Sequence, residues 1–563
     1  MKKKLLAVAM AACMTFASAA VLPKPAFSDT YMTASATFEE GDFKFEISSD
    51  SEMMVVSYIG SGGDVVIPKT AGGKTVTRIY SGTFYKNENV TSVTVPDTIN
   101  RIDSFAFDSC YNVKKITLPD SLPQIEYNTF SNCYSLESIN IPKSVTKIGD
   151  WAFLYCYALD SVALPTGLKS IGYSSFAFCA SLKSITLPSG LEEIGSSAFY
   201  SCPAMKSVTI PEGLRALGDQ AFGYKWDSIN KEIVKDEDFR IYGGINTLAE
   251  EYAQGEGFEF IARVAGKNRF ATAAEVSKSM RTKTNVVVLA NGMDYADALA
   301  GVPIARSMIA PILLTRSDTL PGETLAEIKR LGAKNVLLLG GEGAISENVV
   351  KTLKDNGCNT QRIAGANRFE TAVKIAQQLN SSPEEVFFVY GLDFADALSS
   401  GTVAAIKGAP IVYLRTDGTI DKATADYLAS LKKQGCVSKA YVIGGEGVIS
   451  NAMMAKAGSA LGVTPKRISG ANRYETCTAV NTFFADFFQR KTVCAAKGLD
   501  FPDALAGGVL AAWTDTPILL ADNALRTTQK QYLKSKNANV FHVLGGTGAV
   551  PDKLVNEIAA ASK

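Results

Sequence analysis

Hydrophobic residues in the first half of the chain recur with a period of 23. Phenylalanine occupies one position of this period seven times, from Phe84 to Phe222, and a proline and an isoleucine or leucine keep the same step. A strict period of roughly 20–29 residues is typical of a solenoid, because one coil cannot bury its apolar face without stacking on its neighbours. We therefore predict a solenoid domain with terminal caps over residues 38–262.

Each coil is predicted to contain one short strand that a proline ends. Residues 184–187 alternate, with Ile185 and Leu187 pointing inward and Ser184 and Thr186 outward. The outward positions of successive coils then form one open face, which serves either as a binding surface for a protein or glycan or as a merely soluble sheet surface. The candidate residues of this face are Lys115, Thr117, Asn140, Thr186 and Thr209, rimmed by Tyr111, Tyr134 and Tyr157.

Five cysteines share one position of the 23-residue period. Secretion usually favours a disulfide interpretation of cysteines. Here one repeating position next to the strand indicates a buried ladder of free thiols instead, since cysteine packs well as a small hydrophobe. The five are Cys110, Cys133, Cys156, Cys179 and Cys202.

The second half of the chain contains a longer repeat, with offsets of 99 and 105 residues between its three copies. Each copy carries three motifs in the same order. The first, Arg-x-x-Gly-x-Asn-Arg-Phe/Tyr-x-Thr, starts at Arg263, Arg362 and Arg467; the second, Gly-x-Asp-aromatic-x-Asp-Ala-Leu, at Gly292, Gly391 and Gly498; the third, Gly-Gly-x-Gly, at Gly340, Gly444 and Gly545. The copies span residues 263–361, 362–466 and 467–563.

Short apolar runs alternate with helical patterns inside each copy, which predicts parallel α/β units. In the first copy we expect strands at 286–290, 312–314 and 336–339, and helices at 296–308, 323–331 and 346–355. The glycine motif follows a strand and opens a helix, but its spacing matches no phosphate-binding loop, so a tight turn explains it more simply.

Charged residues at fixed positions are the candidate chemistry of these repeats. Asp294 and Asp297 fall at a strand-to-helix junction, where carboxylates are favoured. Together with the motif arginines they form either a charged binding site or an internal salt-bridge network, and we favour the internal role for some of them. The arginines are Arg263, Arg269, Arg362, Arg368, Arg467 and Arg473.

Composition narrows the functional classes. His542 is the single histidine, so histidine-based catalysis and histidine-rich metal sites are disfavoured, and we expect no catalytic residue, no metal and no cofactor. The net charge of +1 argues against a nucleic-acid partner. That total hides a net of −8 in residues 1–262 and a net of +9 in residues 263–563. An acidic half followed by a basic half suggests two different roles.

The N-terminus predicts export. Three lysines precede an apolar run and a small-residue cleavage site, so residues 1–28 are interpreted as a secretory signal peptide. No later apolar stretch is long enough to predict a transmembrane helix. No covalent sorting signal is found before Lys563, so we expect a folded part of the chain to hold it on the cell.

The first repeat resembles the BspA-like leucine-rich repeats of bacterial surface proteins in its Phe, Cys, Leu, Pro and Ile positions. The segment 241–258 looks like the C-terminal cap of such solenoids. The second repeat closely resembles the type 2 cell-wall-binding repeats of clostridial and related Gram-positive surface proteins, in all three motifs.

The second resemblance implies a pseudo-threefold arrangement of the three copies and non-covalent attachment to an anionic wall polysaccharide. It also implicates one apolar strand in anchoring. The strand corresponds here to Ile312, Leu313 and Leu314, to Ile411 and Leu414, and to Ile518, Leu519 and Leu520. Departures such as Tyr413, Cys477, Pro502 and Thr547 weaken the equivalence of the three copies.

These observations predict an α/β multidomain chain, in which a leucine-rich-repeat solenoid precedes three tandem α/β repeats. The favoured function is that of a secreted, non-enzymatic protein of the cell wall, anchored by the basic half. The acidic solenoid would recognise a host or cell-surface protein or glycan. The alternatives are a structural surface-layer component with the solenoid as spacer, and a wall hydrolase.

Overall fold

A computed structural model describes residues 37–48, 52–280, 283–294, 297 and 299–563, and the predicted signal peptide lies outside this range. The chain divides into two compact units, one ending at Ile241 and the other running from Tyr242 to Lys563. The division falls before residue 262, where the repeat pattern placed the end of the solenoid.

The solenoid core is a column of stacked phenylalanine rings. Phe84, Phe107, Phe130, Phe153, Phe176, Phe199 and Phe222 are fully buried. Neighbouring ring centroids lie 4.8–5.5 Å apart with nearly parallel planes. The 23-residue period thus places one ring on the next in every coil.

The cysteine prediction is confirmed, since all five repeat cysteines are free and buried. Each thiol donates to a backbone carbonyl of the preceding coil, as Cys133 does to Phe107 (3.3 Å) and Cys156 to Phe130 (3.2 Å). Burial raises the pKa of each of these thiols above its ordinary value, so they stay protonated and unreactive.

Two parallel ladders run along the solenoid. One consists of Gly63–Val66, Val90–Thr94, Lys115–Thr117, Ser138–Asn140 and Ser161–Ala163; the other of Gln124–Ile125, Lys147–Ile148, Ser170–Ile171, Glu193–Ile194 and Ala216–Leu217. An N-terminal sheet contains Phe38–Glu40, Phe43–Ile47, Glu52–Tyr58, Thr70–Ala71, Lys74–Ile79 and Arg101–Ile102. The remaining strands are Ser207–Thr209, the hairpin Tyr224–Asp227 with Glu232–Lys235, and Arg240–Tyr242.

One predicted strand is wrong. Residues 184–187 lie outside any strand, and the first ladder ends at Ala163. The alternation itself is kept, with Ile185 and Leu187 buried and Ser184 and Thr186 exposed. Alternation reports burial of one face, which does not require ladder hydrogen bonds to a neighbouring coil.

The C-terminal unit contains three α/β repeats preceded by the helix Leu248–Glu256 and the strand Glu259–Val264. Among the residues that the structure describes, each repeat has four α-helices. In the first repeat they are Arg269–Ser279, Gly301–Ser307, Gly322–Leu331 and Glu347–Asp355; in the second, Arg368–Leu379, Ala395–Ile406, Lys422–Gln434 and Asn451–Leu461; in the third, Arg473–Phe483, Pro502–Trp513, Thr527–Lys536 and Asp552–Ala561. In the third repeat, a short 3-10 helix, Ala485–Phe487, follows the first helix.

The three strands predicted in the first repeat are confirmed within about one residue, as Val286–Asn291, Ile312–Thr315 and Asn335–Leu339. The further strands are Asn359–Ile363, Glu385–Tyr390, Ile411–Leu414 and Lys439–Ile443; then Lys466–Ile468, Thr492–Lys497, Ile518–Ala521 and Val540–Leu544. The predicted helix 296–308 is observed as Gly301–Ser307, and the structure does not describe 295, 296 and 298.

The three sheets are completed in a cycle. The strand Asn359–Ile363 that opens the second repeat is the fourth strand of the first sheet, and Lys466–Ile468 does the same for the second sheet. Glu259–Val264 pairs in parallel with Val540–Leu544 and so completes the third sheet with a strand that precedes the first repeat. A strand from the beginning of the C-terminal unit is therefore paired with the last strand of that unit.

The second helices of the three repeats pack pairwise against one another at the centre. Most of their residues are buried, and Val302 packs against Gly401 and Gly508, where an added Cβ would lie 3.7 and 3.5 Å from it, in ordinary van der Waals contact. This packing and the cyclic sheets form the pseudo-threefold arrangement.

Candidate polymer-binding site

The first arginine of each repeat is bonded to the glycine turn of the preceding repeat in the cycle. Its guanidinium Nη1 donates to the carbonyl oxygen of the first glycine: Arg263 to Gly545 (2.9 Å), Arg362 to Gly340 (2.9 Å) and Arg467 to Gly444 (2.7 Å). Carboxylates also pair with two of them, Asp552 with Arg263 (2.6 Å) and Glu347 with Arg362 (3.0 Å). These arginines, candidates for polymer contact, join the repeats to one another.

The second arginine of each repeat donates to the glycine that opens the second motif: Arg269 to Gly292 (2.7 Å), Arg368 to Gly391 (3.2 Å) and Arg473 to Gly498 (3.1 Å). Two of them also reach an aspartate of the preceding repeat, in the pairs Arg269–Asp500 (3.6 Å) and Arg473–Asp393 (3.3 Å). The arginines and aspartates grouped by sequence do come together, but the pairs cross the boundary between repeats.

The rest of the first motif forms a helix start. Asn268 caps the first helix by accepting from the Ala271 amide (2.9 Å), and Thr272 accepts from the Gly266 amide (3.1 Å). A Cβ on Gly266 would lie 2.4 Å from Ala271, so only glycine fits. The equivalent residues of the other repeats make the same bonds.

The last aspartate of the second motif is half-buried against the glycine turn. A Cβ on Gly444 would lie 2.4 Å from Asp396 Oδ2, and Gly444 has φ of 116°. Burial, and then the charge of Asp393, raises the pKa of Asp396 to about 7, although Arg473 opposes this. Burial raises the pKa of Asp297 and Asp503 as well.

We predict that Asp396→Asn reduces the pH dependence of unfolding of the C-terminal unit. Between about pH 4 and 7 the native carboxyl keeps a proton that the unfolded chain has released, so this group lowers stability as pH rises. Near pH 8 the variant should be more stable than wild type by on the order of 3 kcal/mol. Calorimetry at pH 5 and pH 8 measures this, with the exposed Asp355→Asn as control. A wild-type pH slope retained in the variant contradicts the assignment.

The apolar strand implicated in anchoring lies in the core. Its residues in all three repeats are at most 1% exposed: Ile312, Leu313, Leu314, Ile411, Leu414, Ile518, Leu519 and Leu520. We therefore correct the anchoring prediction for this strand: its side chains have a structural role and do not contact a polymer directly. Each of these strands is an edge strand of its sheet, but helices pack against it, and it is a continuous apolar run for that reason.

A groove that sequence reasoning missed lies between the first and third helices of the third repeat. It has a volume of about 660 Å³ and is lined by Arg467 and by hydroxyl and amide side chains, among them Thr478, Thr482, Thr528 and Gln531. Such side chains can both donate to and accept from sugar hydroxyls. The detectable signal was the helical spacing of Thr478 and Thr482 on one side and of Thr528 and Gln531 on the other.

The candidate face of the solenoid is accessible. Lys115, Thr117, Asn140, Thr186 and Thr209 are all exposed. The rim tyrosines form a column, with Tyr111 and Tyr134 half-buried at a centroid distance of 4.9 Å, and Tyr134 and Tyr157 at 5.1 Å. Tyr157 is only 7% exposed, so it supports the column rather than offering a surface.

A second aromatic row on the solenoid was missed. Phe105, Tyr127, Trp151 and Tyr173 stack edge to face at 5.2, 4.9 and 5.5 Å. Phe105 and Trp151 have positive φ of 63° and 55°, as do the residues at the same position of the other coils, so this conformation belongs to the turn of the repeat. The row escaped detection because Tyr127 and Tyr173 fall one position away from the strict period.

The single histidine is buried in the C-terminal unit. His542 Nε2 lies 2.9 Å from Glu250 Oε1, and its Nδ1 lies 3.8 Å from the Cys494 thiol. The order Cys494, His542, Glu250 resembles that of a nucleophile, a base and a carboxylate in a catalytic triad. However, Cys494 is fully buried, and burial raises the pKa of its thiol far above the ordinary value. Glu250 belongs to the helix that was expected to cap the solenoid.

Comparison with known families assigns both halves. The BspA type leucine rich repeat region matches residues 77–189 and 152–233, and cell wall binding domain 2 matches residues 263–350, 362–454 and 467–555. Among the described residues, no helix is long and apolar enough to cross a membrane.

Two curated relatives are similar to part of the chain. N-acetylmuramoyl-L-alanine amidase LytC of Bacillus subtilis (strain 168) is 36% identical over 299 residues, covering 53% of this chain and 58% of the relative. The amidase enhancer of the same organism is 29% identical over 306 residues, covering 54% and 41%. The chain thus spans about half the length of the curated relatives it matches.

The solved structure of Cwp6 from Clostridium difficile is similar to 54% of this chain. The alignment covers 48% of that chain, with 28% identity and a TM-score of 0.51. The similarity to LytC lies in the cell wall binding repeats of this chain.

Proposed function

Since the chain belongs to the cell wall surface proteins that carry BspA-type leucine-rich repeats and three copies of cell wall binding domain 2, we propose that its C-terminal unit binds an anionic wall polysaccharide non-covalently. The observation that carries this proposal is the threefold repetition of that domain in a region of net charge +9. A basic surface attracts a polymer of repeating negative charge. Several weak contacts on one rigid unit then add up to stable retention through avidity.

The contacts that the motif residues make within the unit restrict the surfaces that are available to the polymer. The motif arginines hold the repeats together, and the apolar strand is buried, so direct contact falls to exposed lysines and to grooves lined by hydroxyl groups. The motif residues then support anchoring by fixing the relative positions of the three repeats.

We also propose that the chain has no enzymatic activity of its own. The similarity to an amidase falls within the binding repeats, and His542 and Cys494 are buried from substrate. The solenoid is assigned recognition of a protein or glycan, which is supported by its exposed hydroxyl face and its aromatic rows.

A division of roles between the units is tested with two fragments. Residues 242–563 should sediment with isolated Gram-positive walls, whereas residues 37–241 should stay in the supernatant and bind at least one ligand in a screen of matrix proteins and glycans. Wall binding by the solenoid fragment alone contradicts the anchoring role of the repeats. A solenoid fragment that folds and binds nothing in the screen contradicts the recognition role and favours that of a spacer.

A further inference from the structure

A cavity of about 420 Å³ lies at the amino end of the second repeat's sheet, where the third repeat covers it. Its walls include Lys407, Lys439, Lys466 and the aromatic rings Phe483 and Phe487. None of these residues belongs to a motif shared by the three repeats.

The aromatic wall comes from the end of the first helix of the third repeat and from the connection that follows it. The connection 484–491 between its first helix and the following strand is longer than the corresponding 280–285 and 380–384. Phe483 and Phe487 are 41% and 40% exposed, although they are large and apolar. Phe484, by contrast, is buried against Tyr441 (5.1 Å) and fixes the segment on the second repeat. Exposed rings on a fixed support are typical of a binding surface.

Lysine ammonium groups lie over these rings. Lys466 Nζ is 4.3 Å from the centroid of Phe483, and Lys407 Nζ is 4.1 Å from that of Phe487. Lys407 and Lys439 also share Glu385, at 3.0 and 4.0 Å, and no residue that lines the cavity is acidic. The cavity therefore combines three lysine side chains, two of them paired with Glu385, with two partly exposed aromatic rings.

We propose that this cavity binds a negatively charged sugar unit of the wall polysaccharide, so the inference rests on the proposed anchoring function. The C–H face of a sugar ring packs against the electron-rich face of a phenylalanine. A phosphate or carboxylate on the same unit accepts hydrogen bonds from Lys439 and Lys466, whose side chains are exposed. The third repeat thereby adds a contact that is distinct from anything the three repeats share.

The test measures binding of the full chain to purified glycan-phosphate polymer released from Gram-positive walls. The double variant Lys439→Gln/Lys466→Gln and the single variant Phe487→Ser should each weaken binding about tenfold. Lys351→Gln/Lys354→Gln removes the same charge from an exposed helix of the first repeat and should change binding less than twofold. Phe487→Leu keeps the apolar contact and shows whether a loss reflects misfolding, together with the melting temperature of each variant.

Hydrogen exchange gives a second readout. Bound polymer should protect residues 484–491 of the wild-type chain, while residues 283–285 exchange as before. Unchanged affinity of the folded cavity variants, or equal losses in the cavity and control lysine variants, overturns the cavity and leaves anchoring intact. Failure of the wild-type chain to bind the polymer overturns both. Binding of free inorganic phosphate with equal affinity contradicts recognition of the sugar.

Discussion

A fragment that begins at residue 263, where the repeat pattern starts, is expected to lose the cooperative fold that a fragment beginning at residue 242 keeps. The difference arises from the strand Glu259–Val264, which is paired over five positions with Val540–Leu544. Without it, the third sheet has an open edge next to a core strand.

The strand also brings large side chains into the core. Phe258 and Phe260 are at most 1% exposed, and the preceding helix places Glu250 on His542. Ladder hydrogen bonds contribute roughly 1 kcal/mol each, and a buried phenylalanine contributes about 3 kcal/mol or more. A loss on the order of 5 kcal/mol is comparable with the whole stability of a domain.

Three fragments ending at Lys563 test this expectation. Urea unfolding of fragments that start at 242, 258 and 263 should give a decreasing midpoint, with the second intermediate because it keeps the strand but lacks the helix Leu248–Glu256. The last should aggregate or unfold without a cooperative transition. Equal midpoints for the first and last fragments would show that the cycle of strands does not hold the unit together.

The pair Glu250–His542 also makes the stability of the C-terminal unit depend on pH under acidic conditions. Burial raises the pKa of Glu250, but the hydrogen bond with His542 and the charge of His542 together lower it by more. The pKa of Glu250 therefore lies below its ordinary value. The resulting stabilisation is present above the unfolded pKa and is lost as the pH falls through the folded pKa.

The sequence predicted the solenoid well because its information is local and repeated. A single phenylalanine position per coil defines both the period and the core, and the cysteines fill the adjacent position. The strands of the α/β repeats were found for a similar reason, since a buried parallel strand such as Ile312–Thr315 is a short apolar run.

Features that depend on contacts between distant repeats were not predicted. Nothing in Arg263 itself shows that it bonds Gly545 across the closed cycle, and sequence order alone places Glu259–Val264 with the solenoid. The same motif spacing fits either a ligand site or an internal network. Only the position of the neighbouring repeat distinguishes the two.

The candidate site was predicted in part. The exposed residues of the solenoid face were found by alternation, whereas the apolar anchoring strand proved to be core. The aromatic segment of the third repeat was missed because it interrupts the repeat, and a search for periodicity discards what does not recur.

Loss of wall binding after removal of the anionic polymer is the second large effect that we expect. The proposed binding depends on residues 263–563, whose net charge is +9, and on several sites acting together. Removing the polymer takes away every site at once. The loss should therefore exceed the effect of any single substitution, reaching about a hundredfold or more.

The most direct measurement is sedimentation of the full chain with two samples of the same Gram-positive walls, one intact and one stripped of its anionic polymer with hydrofluoric acid. We expect the chain to sediment with intact walls and to remain in the supernatant with stripped walls. Soluble anionic polymer, but not neutral dextran, should release the bound chain. Equal binding to intact and stripped walls would contradict anchoring through the anionic polysaccharide.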